Sequence, residues 1–222
     1  MDARRLYLCT PDRPDLEWFL RECIAGGVDI VQLRDKSLSD RPLMARAQLA
    51  RDVCGESGIP FILNDRADVA LAVGADGVHV GQDDLPPALA RRIMGPHAIV
   101  GLSTHSRSEL DASDAEPVDY VSVGPVTETP TKPGRAGTGL GYVDYAARVC
   151  RRPFFVTGGI NPESAGPVLA AGARAVVVVR ALGDSPDPRR IAKSIRTVLA
   201  GGQSAGVESA GGQSAGGQSA GR

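Results

Sequence analysis

Arg34 and Lys36 stand two residues apart at the end of a short apolar run, and Gln32 precedes Arg34 by two. Strand alternation puts Gln32, Arg34 and Lys36 on one face and Leu33 on the other. An amide and two cations converging in this way suit a phosphate or diphosphate. Arginine grips such a group as a bidentate fork, and lysine meets it as a point charge. A solvated, charged strand end is the plain alternative for this motif taken alone. Further along, Asn64-Asp65-Arg66 and Gly81-Gln82-Asp83-Asp84 each follow another apolar run. Mg2+ is commonly held by one or two carboxylates together with substrate phosphate oxygens and waters. Asp65, with Asp83 or Asp84, beside a basic cradle fits that pattern. Asp65 and Asp84 also precede helical segments, where an acid often serves only as an N-cap.

Other polar clusters follow the same placement. Gly101-Leu102-Ser103-Thr104-His105 offers Ser103, which could donate to a phosphate or cap the next helix. His105 is a candidate acid or base, although a single histidine with no matched partner is usually structural. His79 and His97 receive no role. The loop from Gly124 to Gly134 is rich in Gly, Pro and Thr and carries Lys132. Its prolines lack amide donors and most of its side chains are polar, so it is no core segment. It can gather hydroxyls, amides and one ammonium around an anion. Thr157-Gly158-Gly159-Ile160-Asn161 and Val178-Val179-Arg180 end two more runs. Glycines there let a backbone approach a phosphate closely.

The elements that must position these clusters come next. Eight β-rich runs recur at residues 6–10, 29–34, 61–64, 77–80, 99–102, 119–123, 154–157 and 175–179. Several are near-continuous apolar runs, as expected of parallel strands covered on both faces. Helix-like segments lie between them at 15–25, 40–54, 66–73, 85–94, 106–113, 143–151, 162–171 and 188–199, many stopping at glycine. Eight strand–helix repeats predict an α/β chain folded as a single (β/α)8 TIM barrel over residues 1–200. A doubly wound open sheet is the competitor. It usually carries a glycine-rich fingerprint after its first strand, and Cys9-Thr10-Pro11-Asp12 does not. In a barrel, the C-terminal strand ends gather every cluster above at one mouth. They divide into two anion sites, of which one has acids for a metal, so two phosphorylated substrates are expected.

Composition sets the outer bounds. The chain has 222 residues, a formal net charge of -1 and 42% hydrophobic residues. That near-neutral balance argues against a nucleic-acid partner. Cys9, Cys23, Cys54 and Cys150 form no C-x-x-C pair, so zinc and dithiol redox chemistry are not expected and buried free thiols are. No apolar h-region opens the chain and no run approaches a membrane span, so a cytoplasmic protein is expected. Residues 201–222 repeat Gly-Gln-Ser-Ala-Gly three times with almost nothing apolar. A segment like that buries too little to offset its ordering entropy, and a disordered tail is expected there. The sequence leaves the oligomeric state open.

Six short motifs occur in order: Val31-Gln-Leu-Arg-Asp-Lys36, Asn64-Asp65, His79-Val-Gly-Gln-Asp-Asp84, Gly101-Leu-Ser-Thr-His105, Gly124-Pro-Val with Thr129-Pro-Thr-Lys132, and Gly158-Gly-Ile160. Together they resemble the thiamine-phosphate synthase (thiamine-phosphate pyrophosphorylase) family over residues 6–199. The resemblance implies coupling of 4-amino-2-methyl-5-(diphosphooxymethyl)pyrimidine to a thiazole phosphate or its carboxylate, with release of pyrophosphate. It implies that Gln32, Arg34, Lys36, Asn64, Ser103 and Lys132 bind the pyrimidine diphosphate, and that Arg34, Lys36 and Lys132 stabilise its departure. Asp65 and Asp84 would hold Mg2+, and the family pattern favours Asp84 over Asp83. Thr129, Pro130, Thr131, Gly159, Val179 and Arg180 would hold the thiazole phosphate. Arg180 departs from the family, where serine is common; it could pair with the phosphate or turn outward. A thiazole tautomerase-like isomerase would have no need of the metal–diphosphate set. A non-catalytic ligand-binding barrel should show a damaged cation or metal position, and none is evident. Another phosphosugar barrel enzyme should show acid/base residues instead.

Overall fold

Near-continuous apolar runs become strands that are buried on both faces. In this computed structural model they are β1 (Leu6–Thr10), β2 (Ile30–Leu33), β3 (Phe61–Asn64), β4 (Gly77–Val80), β5 (Ile99–Thr104), β6 (Tyr120–Val123), β7 (Phe154–Val156) and β8 (Val176–Val178). The structure describes residues 1, 3–129, 134 and 136–208, with the backbone alone for 202–208. Neighbouring strands pair in parallel, in sequence order, and β8 pairs back onto β1 through Leu6–Val176, Tyr7–Val177 and Leu8–Val178. The result is the closed TIM barrel that the sequence predicts.

Period-2 alternation sorts the strand side chains into two apolar sets. Leu6, Leu8, Val31, Leu63, Val121 and Val178 belong to the outer core beneath the helices. Tyr7, Ile30, Ile62, Tyr120, Phe155 and Val177 fill the barrel interior. Tyr7, Tyr120 and Phe155 pack edge to face there, with ring centroids 5.3–5.9 Å apart. The interior tolerates that bulk because β5 passes Tyr120 with a glycine. A Cβ on Gly101 would lie 2.2 Å from the Tyr120 ring.

The helices are α1 (Leu16–Ala25), α2 (Asp40–Glu56), α3 (Ala67–Val73), α4 (Pro87–Met94), α5 (Arg107–Ala112), α6 (Leu140–Val149), α7 (Pro162–Ala170), α8 (Arg180–Gly183) and α9 (Pro188–Glu208). Two features differ from the sequence reading. The four-residue α8 follows β8 directly, and so short a turn leaves no periodic pattern to read. The last helix runs to Glu208, eight residues into the segment assigned to a tail from residue 201. Extending an anchored helix adds one hydrogen bond per residue without a new nucleus, so low apolar content alone does not end it. The remainder of that tail, 209–222, lies outside the described residues.

At the N-terminal rim one device recurs. Asp29, Asp76 and Asp119 each precede an even-numbered strand, and each accepts from a backbone N–H at the start of the preceding odd strand. The donors are Leu6 (3.0 Å), Phe61 (2.8 Å) and Val100 (2.7 Å). Asp29 also pairs with Arg196 of α9 at 2.6 Å, which ties the last helix to the first strand. Cys9, Cys23, Cys54 and Cys150 are free thiols, and burial pushes Cys23 and Cys54 up to about 12. No helix among the described residues is long and apolar enough to cross a membrane.

Candidate active site

All eight strands point their C-terminal ends at one mouth, where several connected cavities lie, two of which hold most of the candidate residues. A 190 Å³ pocket is lined by Arg34, Lys36, Asn64, Asp65, Asp84 and Ser103, among others. A 480 Å³ cavity runs from Gln32 and His79 inside the barrel to Gly158, Gly159 and Arg180 at the rim. Arg34, Asn64 and Ser103 line both.

The smaller pocket is organised by charge. Lys36 Nζ lies 2.9 Å from Asp65 Oδ2 and 3.7 Å from Asp84 Oδ1. Two carboxylates from neighbouring strand ends thus converge on one cation. Asp65 adopts φ 60, a left-handed conformation in which Asp is one of the few tolerated residues. Its backbone N–H donates to the His79 carbonyl at 2.8 Å, which fixes this turn against β4. Burial holds the Asp65 carboxyl above its ordinary value; Asp84 reinforces the shift and Lys36 opposes it. Asp84 Oδ2 accepts from Gly81 N–H at 3.0 Å, so its carboxylate is aimed by its own loop. Neither acid caps a helix: Arg66 and Pro86 occupy those positions. Arg34 is half-buried, and its guanidinium has no acceptor among the described residues.

Gln32, Arg34 and Lys36 do not share one face. β2 ends at Leu33, so the alternation does not extend to Lys36. Gln32 faces the barrel interior, 5% exposed, whereas Lys36 sits out on the rim. Arg34, between them, reaches both cavities. His105 is engaged structurally: its Nδ1 meets the Gly124 carbonyl at 2.5 Å and its N–H donates to Glu109 at 2.7 Å. Ser106, not Ser103, caps α5.

The larger cavity has a backbone wall. Gly158 and Gly159 both have positive φ (102 and 72), and Thr127 Oγ1 donates to the Gly158 carbonyl at 3.2 Å. A Cβ on Gly159 would fall 2.1 Å from Thr127 Oγ1, so only glycine lets these two loops touch. Thr129 is buried here, and Val179 and Arg180 border the same space. The expected contacts of Pro130, Thr131 and Lys132 fall outside the described residues.

Sequence reasoning missed the interior. His79, set aside above, meets Ser103 Oγ through Nε2 at 2.9 Å and Tyr120 Oη through Nδ1 at 3.0 Å. Tyr120 continues to Tyr7 at 2.8 Å, and Gln32 Nε2 donates to Tyr7 Oη at 2.7 Å. Burial raises both phenols well above their ordinary value, so both keep their protons. The signal in the sequence was polar residues at alternate positions of apolar strands. It becomes meaningful only once β1, β4 and β6 face one another across a closed barrel.

A closed parallel barrel with a charged, many-chambered mouth at its strand ends defines a (β/α)8 enzyme. Residues 6–182 match the family described as thiamine monophosphate synthase. A thiamine-phosphate synthase of Thermobifida fusca (strain YX) is 47% identical over 213 residues, covering 92% of this chain and 96% of the relative. A thiamine-phosphate synthase of Mycobacterium sp. (strain JLS) is 48% identical over 207 residues, covering 87% and 92%. The solved thiamine phosphate pyrophosphorylase of Pyrococcus furiosus superposes with a TM-score of 0.82 at 30% identity, covering 89% of this chain and 96% of that one. The chain belongs to the thiamine monophosphate synthase family and is a transferase.

Proposed function

We propose that this chain couples 4-amino-2-methyl-5-(diphosphooxymethyl)pyrimidine to a thiazole phosphate or its carboxylate, forming thiamine phosphate and pyrophosphate. The observation that carries the reading is the charge cluster in the smaller pocket. Asp65 and Asp84 face one ammonium, and Arg34 stands beside them with no acceptor among the described residues.

Two carboxylate oxygens converging on a cation are a donor set suited to Mg2+, a hard cation that takes oxygen ligands and completes its shell with waters and phosphate. Asp65 and Asp84 would hold the ion, which would supply charge neutralisation on the leaving diphosphate. Arg34 grips diphosphate oxygens as a fork, and Lys36, released from its carboxylate partners, adds a point charge. Lys132 is assigned to the same group. Asn64 and Ser103 orient the diphosphate, and Gln32 meets the pyrimidine inside the barrel. The pyrimidine amino group pushes electrons toward the exocyclic methylene as the C–O bond to diphosphate breaks. The thiazole nitrogen then donates its lone pair to that carbon, which places the thiazole in the larger cavity. There Thr129, Pro130, Thr131, Gly159, Val179 and Arg180 would hold its phosphate. No protein nucleophile is required, which agrees with the structural engagement of His105. An isomerase of the thiazole alone would leave the Asp65–Asp84–Arg34 cluster without work.

The test mixes the purified chain with both substrates, with and without Mg2+, and assays thiamine phosphate and pyrophosphate. Metal-dependent formation of both in equal amounts is expected. Binding of the thiazole phosphate without coupling would overturn the reading.

A further inference from the structure

We infer that Lys36 competes with the divalent cation for Asp65 and Asp84, so that metal enters this pocket together with diphosphate and not ahead of it. This rests on the proposed function, which gives Asp65 and Asp84 to the metal, and adds to it the order in which the ligands arrive.

The carboxylates are fixed. Asp65 N–H donates to the His79 carbonyl at 2.8 Å, and Asp84 Oδ2 accepts from Gly81 N–H at 3.0 Å. The backbone that carries Lys36 is pinned as well. Asp35 Oδ1 accepts from the N–H groups of Ser37 at 2.8 Å and Leu38 at 3.2 Å, and Asp35 Oδ2 accepts from Asp12 N–H at 3.1 Å. The part free to move is the Lys36 side chain, a flexible four-carbon stem that is 54% exposed. Its partners among the described residues are Asp65 at 2.9 Å and Asp84 at 3.7 Å.

Two cations cannot share those oxygens. Mg2+ binds oxygen at about 2.1 Å in a near-octahedral shell. An ammonium 2.9 Å from Asp65 Oδ2 stands against that shell and repels the ion at close range. A metal ion arriving alone therefore has to break both Lys36 contacts and leave the ammonium to water. Diphosphate changes the balance. Its oxygens give Lys36 new acceptors in the same pocket and give the ion further ligands. Metal and diphosphate then favour each other, and by linkage each raises the affinity of the other by the same factor. Arg34 lines the same pocket and, among the described residues, pairs with neither acid. It adds to the field there without standing in the ion's place.

The test titrates the purified chain with Mn2+, which also takes carboxylate and water oxygens, and counts bound ion by electron paramagnetic resonance. With no anion present, Lys36→Met keeps the length of the side chain and removes its charge. It is expected to bind Mn2+ about tenfold more tightly than wild type, within the usual range of coupling between sites. Lys36→Arg keeps a cation and is expected to bind the ion as weakly as wild type. Arg34→Met is expected to gain far less than Lys36→Met. The order reverses once diphosphate is supplied: in calorimetry with inorganic pyrophosphate and saturating Mg2+, Lys36→Met is expected to bind more weakly than wild type. Equal gains in Mn2+ affinity from Lys36→Met and Arg34→Met would mean that both act through the field alone and would overturn the competition. No gain in Lys36→Met, with Mn2+ binding still abolished by Asp65→Asn, would overturn the competition and leave the metal assignment standing. Failure of Mn2+ to bind Lys36→Met, or binding that survives Asp65→Asn, would overturn the metal assignment and the competition with it.

Discussion

Asp65 is held in the mouth at a cost to stability. It is a non-glycine residue at φ 60, and burial raises its carboxyl above the ordinary value. A carboxyl with a raised folded-state pKa binds its proton more tightly in the folded chain than in the unfolded one. Its contribution to stability is therefore present at low pH and is lost as pH rises through that raised value. Above that value the ionised group is accommodated less well in the folded chain than in the unfolded one. Asp65→Asn keeps a residue that tolerates left-handed backbone and removes the charge. Thermal unfolding at pH 7 is expected to show no loss of Tm, while coupling falls at least about a hundredfold, the scale for removing a preorganised electrostatic contact. A variant that loses Tm and keeps its turnover would sink both halves of this argument. Arg34, Asn64, Asp65 and Asp84 were legible in the sequence because each is a polar residue just past an apolar run, where only a strand end fits. Tyr7 and His79 were not: alternation says that they share a face, and only strand neighbours across the barrel say which face.

Among the elements, the strands carry the design and their two ends do different work. The C-terminal ends hold the charge cluster, whereas the N-terminal ends are stitched by Asp29, Asp76 and Asp119. Asp76→Ala leaves the Phe61 N–H without its acceptor. A loss of about 1–3 kcal/mol is expected from denaturant unfolding, with KM and kcat unchanged, since the rim lies at the far end of β3 and β4 from the mouth. Gly101→Ala attacks the opposite feature. A methyl there would stand 2.2 Å from the Tyr120 ring and 2.5 Å from His79 Nδ1. Overpacking of this kind costs about 1–3 kcal/mol, and here it displaces the groups beside Ser103, so stability and pyrophosphate affinity are expected to fall together. A drop in stability with affinity untouched would separate the interior packing from the site. The strands were readable because burial on both faces leaves unbroken apolar runs such as Leu6–Thr10. The extent of α9 was not, because what carries it past Ala200 is backbone propagation, which leaves no mark on hydropathy.

For the whole molecule, closure is the property on which the site depends, since Arg34 after β2 and Arg180 after β8 border one cavity only when β8 returns to β1. α9 holds that return. It buries Ala192, Ile195 and Leu199, and Arg196 grips Asp29, which in turn accepts from Arg5 and Leu6 at the first strand. The family match ends at residue 182, yet α9 beyond it packs against the barrel and pairs with Asp29 ahead of β2. Truncation after Asp187 exposes the outer core beneath α9 and removes the Arg196 contact with Asp29. That chain is expected to lose its cooperative thermal transition and its turnover. Truncation after Glu208 removes only 209–222 and leaves every buried contact described above in place. Its Tm and coupling rate are expected to match those of the full chain. Scanning calorimetry and the coupling assay on the two truncations decide the matter. A folded, active chain ending at Asp187 would show that strand pairing closes this barrel without α9. A large loss from removing 209–222 would give that terminal segment a part in the working enzyme.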